Sequence, residues 1–491
     1  MRALPRRTKT ALIIIGLLLI LSAFIFSLTR WLSVTFGVSI REILYTLTSP
    51  LKGADTHFLA GAVKHIVPWM ILALVIFIVA VIIRTRIEDY KPKIKKIYMT
   101  VLMVIAILSM ALSLIWCNYK LSIPPFILAS LQPTHIYEDY YVDPDTVDIS
   151  SNGDTKNVIY IYLESMENTY ASKDDGGFQT DYNYIPHLTQ MAFENTSFSD
   201  NEQLGGFYSG TGMGWTIAAL FATTSGVPFS FPVKNNSMDK RENFAAGITT
   251  LGDILEEKGY YQEFLCGSDS EFAGRDLFFS QHGGYEIFDY NTAIEQGYIS
   301  DSYKVWWGIE DAKLYDIAKN ELIRISQLDQ PFNFIMLTVD THHIDGYVCR
   351  QCEDTYDTRL ANVVACADKQ VYEFINWCKE QDFYENTVII ITGDHPRMDT
   401  SLVDGAPVRT VYNCFINAEG SDTARTINRT YTAVDLFPTI LSSMGFTIEG
   451  DRLGLGTNMF SDLETLPEQM GLEKFNSELN KYSKFYIDNF S

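Results

Sequence analysis

The run Asn386-Thr-Val-Ile-Ile-Ile-Thr-Gly-Asp-His395 decides how this chain is read. Its β-branched residues predict a buried strand closing on Gly393, with Asp394 and His395 at the carboxyl end. Carboxylate oxygen and imidazole nitrogen are donors for divalent cations, so the pair offers half a metal site. Alone, it reads more readily as a polar strand terminus. Two further apolar runs end alike. Asn157-Val-Ile-Tyr-Ile-Tyr-Leu163 leads into Glu164-Ser165, and Phe332-Asn-Phe-Ile-Met-Leu-Thr-Val339 into Asp340-Thr-His342-His343. Open parallel sheets bind ligands beyond the carboxyl ends of their strands. Three such ends therefore supply one crevice with metal ligands and an acid/base, which predicts a metal-dependent enzyme.

Around these runs strands alternate with helices. Leu251–Gly259 reads as a helix feeding the strand Tyr260–Leu265, Val371–Lys379 as a helix before the Thr-Gly-Asp-His strand, and Ala433–Met444 as another, closed by Gly445. Alternation of this kind predicts a doubly wound α/β domain, and about 300 residues bury one large core. No internal repeat or low-complexity tract interrupts it.

The amino-terminal part is different in kind. Residues 11–29, 66–83 and 97–119 carry no charge and have the roughly 20-residue length of a membrane-spanning helix. Arg2, Arg6, Arg7 and Lys9 precede the first, and Arg84, Arg86, Lys91, Lys93, Lys95 and Lys96 separate the second from the third. The positive-inside bias predicts that both basic segments are cytoplasmic, so that everything after 120 lies outside a multi-pass cell-membrane protein. Residues 36–50 read as an amphipathic interfacial segment or a plain loop. Expected boundaries are a membrane anchor over 1–119, a linker over 120–155, a catalytic domain over 156–460 and a polar, aromatic tail over 461–491.

The formal charge of −22 conceals this division. Residues 1–118 hold 14 Lys/Arg against 4 Asp/Glu, and the remainder 24 against 56. An exterior part at −32 offers nucleic acid no basic face. Among seven scattered cysteines, Cys349-x-x-Cys352 lacks the second pair of a zinc finger or ribbon, so a disulfide from Cys349 or Cys352 to Cys366 is the expectation.

Gly210-Thr-Gly-Met-Gly-Trp-Thr216 precedes the apolar helical stretch Ile217-Ala-Ala-Leu-Phe-Ala-Thr. A hydroxyl at a helix start faces bound anions where free N–H groups favour them. Thr216 is thus a candidate nucleophile needing a metal or base, or simply a helix cap. Thr211, Thr223 and Thr224 compete from the same segment.

Taken together, Tyr162-Leu-Glu164-Ser, Gly214-Trp-Thr216, Phe272-Ala-Gly-Arg275-Asp, Thr338-Val-Asp-Thr-His342-His-Ile-Asp-Gly346, Thr392-Gly-Asp394-His395 and Arg452-Leu-Gly-Leu-Gly456 resemble the membrane-anchored phosphoglycerol transferases. These are relatives of the lipoteichoic acid synthases within the sulfatase and alkaline-phosphatase superfamily. The resemblance runs over roughly 156–460 and implies an alkaline-phosphatase/sulfatase-like fold. It implies one divalent cation, manganese before magnesium or zinc, on Glu164, Thr216, Asp394 and His395. Thr216 becomes the nucleophile, His342 the proton carrier near the reacting phosphate and Arg275 the grip on the donor head group. His343 is a second candidate for substrate contact. Ala273, where lipoteichoic acid synthases carry Trp, and His342-His343-Ile344-Asp345 bring the chain nearer the transferases that modify glucans.

The implied reaction moves glycerophosphate from phosphatidylglycerol to an extracytoplasmic glycan or glycolipid through a threonine-bound intermediate. His342 would protonate the departing alkoxide and then deprotonate the acceptor. A polyglycerolphosphate polymerase and a phosphoethanolamine transferase are the neighbouring alternatives, and a non-catalytic envelope sensor or binding protein the alternative of another class. A sulfatase would need Cys or Ser in a Cys/Ser-x-Pro-x-Arg context, and the Gly-rich segment has none.

Overall fold

Strands that are β-branched or aromatic at successive positions can bury both faces, and this dictates the architecture. The computed structural model describes residues 5–35, 40–48, 56–87, 90–151, 153, 155–230 and 243–490. These form two units, one over 1–43 and 55–128, the other over 44–54 and 129–491.

In the first unit, Arg6–Thr35, Thr56–Arg86 and Pro92–Leu121 are helices. Each is long and apolar enough to cross a membrane. Leu17, Ile71, Leu112 and Ile115 stand exposed on them, as side chains facing lipid would. The expected spans fall inside these helices, which run several residues further at each end. Of the segment 36–50, Ile40–Thr48 is helical, while 36–39 and 49–50 lie outside the described residues.

The second unit is built on seven strands: β1 (Asn157–Leu163), β2 (Gly206–Tyr208), β3 (Tyr261–Cys266), β4 (Glu286–Phe288), β5 (Phe332–Leu337), β6 (Thr387–Gly393) and β7 (Thr410–Ile416). Their order across the sheet is β2-β7-β6-β1-β5-β3-β4. Strands β6, β1, β5, β3 and β4 run parallel, whereas β7 and β2 close one side antiparallel. The sheet is thus mixed rather than wholly parallel. Successive residues alternate between two cores. Val158, Tyr160, Tyr162, Val388 and Ile390 pack with the helices Thr216–Ser225 and Leu436–Ser443. Ile159, Ile161, Leu163, Ile389 and Ile391 pack with Asp311–Ile325 and Arg359–Lys379. A sheet between two helical layers results.

Residues 129–151 are not a free linker. Ile136 and Tyr137 are buried, with Tyr137 against Phe485, Tyr486 and Phe490, and Ile149–Ser151 pairs with Phe446–Ile448. The polar spacing of this stretch hid the aromatic contact that folds it into the domain. The C-terminal segment wraps the same domain as the helices Leu466–Met470, Leu472–Asn480 and Lys484–Phe490.

Candidate active site

The central strands β6, β1 and β5 are neighbours, so residues just beyond their carboxyl ends must converge. Glu164 follows β1 and Asp394-His395 follow β6, all three buried. Register places Leu163 opposite Gly393, which brings the two termini level. The junction is cross-tied: the Ser165 N–H donates to Asp394 Oδ1 at 2.8 Å, and the His395 N–H donates to the same oxygen at 2.8 Å. Ser165 takes a left-handed conformation (φ 53°), and its hydroxyl donates to Glu164 Oε1 at 2.6 Å. Oδ1 of Asp394 is thereby used, while Oδ2 is buried with no hydrogen-bond partner.

Gly-Trp-Thr216 arrives from the helix side. Trp215 is the N-cap of Thr216–Ser225, and Thr216 is the first helical residue. Its hydroxyl therefore does not cap the helix. Oγ1 lies 3.4 Å from Glu164 Oε2 and 3.4 Å from His395 Nε2. The competing hydroxyls are committed elsewhere. Thr223 and Thr224 donate back to Ala219 O and Leu220 O, and Thr211 sits between Asn476 and Asn480.

Metal-ligand chemistry fits this set. Ligand atoms of Glu164, Asp394 and His395 all lie within 4.8 Å of one another. His395 Nδ1 lies 2.9 Å from Pro396 O, so an Nδ1–H donor there leaves the Nε2 lone pair toward the carboxylates. Burial, with the Glu164 charge beside it, pushes Asp394 up to about 7. Burial pulls on His395 in the opposite sense, but the Asp394 and Glu164 charges outweigh it and raise the imidazole. Uncompensated negative charge in a buried site, with one carboxylate oxygen unpartnered, is an arrangement that a divalent cation satisfies.

The remaining expected residues divide. His342 lines the same cleft as Glu164, Thr216 and Arg275. Burial lowers its imidazole to about 4, and Nδ1 contacts His343 O at 2.5 Å, so the neutral ring presents Nε2 as an acceptor. Arg275 Nε and Nη2 are occupied by Phe272 O, Ser268 Oγ and Asp269 O, which leaves Nη1 for a ligand. The guanidinium expected to grip the donor head group is thus partly used in holding its own loop. His343 is outside the cleft lining; its Nδ1 faces Asp399 Oδ2 at 3.8 Å.

Two contributors escaped the sequence reading. Trp307 lines the cleft and its buried Nε1–H lacks a partner, while its ring packs edge-on against His342. Arg397, fully buried, donates to Thr341 O and Asp399, tying the segment after His395 to the loop that carries His342. The spacing Asp394-His-Pro-Arg397 was the available signal for Arg397. Trp307 gave none.

Residues 156–446 match the sulfatase family. Phosphoglycerol transferase I of Salmonella choleraesuis is 31% identical over 314 residues, covering 62% of this chain and 39% of that protein. The enzyme of the same name from Xanthomonas euvesicatoria is 32% identical over 256 residues, covering 51% and 35%. The chain thus spans about two fifths of the length of these curated relatives. The crystal structure of the lipoteichoic acid synthase LtaP from Listeria monocytogenes superposes with a TM-score of 0.50 at 18% identity, over 66% of this chain and 81% of that one, a likeness of fold.

Proposed function

The chain belongs to the sulfatase family, and from that membership we propose that it transfers glycerophosphate from phosphatidylglycerol to an extracytoplasmic glycan through a covalent intermediate on Thr216. The observation that carries this reading is the position of Thr216 Oγ1, 3.4 Å from both Glu164 Oε2 and His395 Nε2. The relatives' name, phosphoglycerol transferase I, favours glycerol over ethanolamine as the head group.

Glu164, Thr216, Asp394 and His395 would hold a divalent cation, manganese in our reading, whose charge would acidify the Thr216 hydroxyl and offset that of the phosphoryl oxygens. Thr216 Oγ attacks the donor phosphorus; the bond from phosphorus to the diacylglycerol oxygen breaks, that oxygen takes up the proton Thr216 gives up so that diacylglycerol leaves as the free alcohol, and a glycerophosphoryl-threonine remains. Arg275 Nη1 and the Trp307 N–H orient the phosphodiester. In the second half, His342 Nε2 takes the proton of an acceptor hydroxyl as that oxygen displaces Thr216 from phosphorus. Burial keeps this imidazole neutral at neutral pH, so it is free to accept a proton and holds none to deliver in the first half.

Membrane anchoring fits the donor. The basic segments flanking the helices favour an orientation with residues after 120 outside, where enzyme and lipid share one surface at raised effective concentration. Membranes incubated with headgroup-labelled phosphatidylglycerol, with and without chelator, test the proposal. Label should pass to a glycan and stop passing when the metal is removed. Label that stays in lipid under both conditions would refute it.

A further inference from the structure

A second set of convergent side chains lies outside the Thr216 cleft. Cys349 and Cys352 follow the His342 loop, and Cys366 projects from the helix Arg359–Lys379. Their sulfur atoms all lie within 4.8 Å of one another. Cys349 Sγ is 3.8 Å from Cys366 Sγ and 3.6 Å from Cys352 Sγ. The expected pair is therefore brought together but not bonded, and a third thiol joins it.

We propose that Cys349, Cys352 and Cys366 bind one zinc-class cation, with the Gln370 amide oxygen closing the fourth position. Zinc–thiolate bonds of about 2.3 Å in a tetrahedron set sulfur–sulfur edges of about 3.8 Å, close to the two Cys349 separations of 3.8 and 3.6 Å. The Cys349 N-terminal knuckle agrees: the Gln351 N–H donates to Cys349 Sγ at 3.4 Å, and the Cys352 N–H closes the turn on Cys349 O at 3.3 Å. Such N–H donors stabilise thiolate.

Gln370 is an independent pointer. It is 5% exposed, its Oε1 is buried without a partner, and its Nε2 sits 3.0 Å from Cys366 Sγ and 3.5 Å from Cys349 Sγ. The two ends of an amide are alike in size, so half a turn about its last bond directs the orphaned oxygen toward the sulfurs of Cys366 and Cys349. Three soft sulfurs select a different ion from the oxygen-rich set at Thr216.

Its position gives the cluster a purpose. Tyr347 N–H bonds Asp340 O and Gly346 N–H bonds His342 O, while Arg359 Nη2 donates to Gly346 O. An ion gripping Cys349, Cys352 and Cys366 would pin the His342 loop to the helix behind it.

Elemental analysis of the full-length, detergent-purified protein, prepared without chelator, decides the matter. We expect one zinc-class ion that survives Asp394→Ala and is lost in Cys366→Ser and in Cys352→Ser. Cobalt exchanged into the wild type should show thiolate-to-metal charge-transfer absorption, and Cys352→Ser, altered at a half-buried position, should weaken it while remaining folded by circular dichroism. Metal content indifferent to both cysteine substitutions would overturn the proposal. So would an intact mass short by two hydrogens, with a cystine mapped to any two of the three.

Discussion

The carbonyl oxygen of Met166 stands 2.0 Å from the point that a Cβ on Gly393 would occupy. Backbone meets backbone there, with no flexible side chain to give way. The glycine of Thr-Gly-Asp-His is therefore set by the close passage of the chain after Glu164. Gly393→Ala should push apart the two strand ends that carry Glu164 and Asp394. Overpacking of this kind costs about 1–3 kcal/mol, and the expected loss of metal and transfer exceeds what such destabilisation explains. Melting temperature, metal content and turnover of one preparation check this; a variant with full turnover would show that the spacing is not critical.

The covalent step has a mass signature. A reaction stalled before acceptor attack should leave a glycerophosphoryl group of about 154 Da on the peptide containing Gly214-Trp-Thr216, as nucleophilic catalysis requires. Thr216→Ala should lose adduct and turnover yet keep the fold. Inversion at a chiral phosphorus would exclude this double displacement.

Metal binding should compete with protons. Asp394 has a folded pKa of about 7, above its ordinary value of 3.8, because of burial and then the Glu164 charge. The metal-free fold thus holds a proton that the unfolded chain releases, so the Asp394 contribution to stability of chelated enzyme should fall as pH rises from about 4 to 7 and then level, while the raised His395 extends the decline above 6.5. Asp394→Asn should flatten that slope. Metal affinity should run the other way, strengthening across the same window. Denaturation curves at stepped pH, with and without manganese, measure both.

His342 should separate the half-reactions. Its substitution by alanine is expected to slow acceptor attack at least about 100-fold, the low end of general-base contributions, while adduct on Thr216 accumulates. With burial holding the imidazole near 4, acceptor transfer at saturating metal should stay level from about pH 5.5 to 8 rather than rising through 6.5. Single-turnover assays on the isolated adduct resolve this.

Topology is open to proteolysis. Protease added outside intact cells should cut beyond residue 120 and spare the basic segment 84–96. Cleavage of 84–96 with protection of the domain would reverse the orientation.

Much of this site was readable in advance because parallel strands buried on both faces spell their own boundaries. Val388 to Ile391 and Val158 to Leu163 leave little doubt where Asp394 and Glu164 must stand. Thr216 was ambiguous, since a hydroxyl at a helix start caps or points away according to one residue of register. Trp215 turned out to hold the cap position. The grip of Arg275 was overestimated because the carbonyls of Phe272 and Asp269 are invisible to side-chain reasoning. Residues 129–151 looked like a linker because Tyr137 finds its partners at Phe485 and Phe490, nearly 350 residues on. The sequence named Cys349, Cys352 and Cys366 together, but spacing alone does not say that all three sulfurs meet at one point.

The bond from Ser165 to Asp394 joins residues 229 apart in the chain. Synthesis runs from the amino end, and loops of that length close late. Throughout translation of the domain, Glu164 and Thr216 wait without their partners until the strand Thr387–Gly393 has been made and has paired. In the proposed mechanism, a chain interrupted anywhere before His395 lacks ligands of the cation that would activate Thr216, so turnover should begin only once the last of these strands is in place.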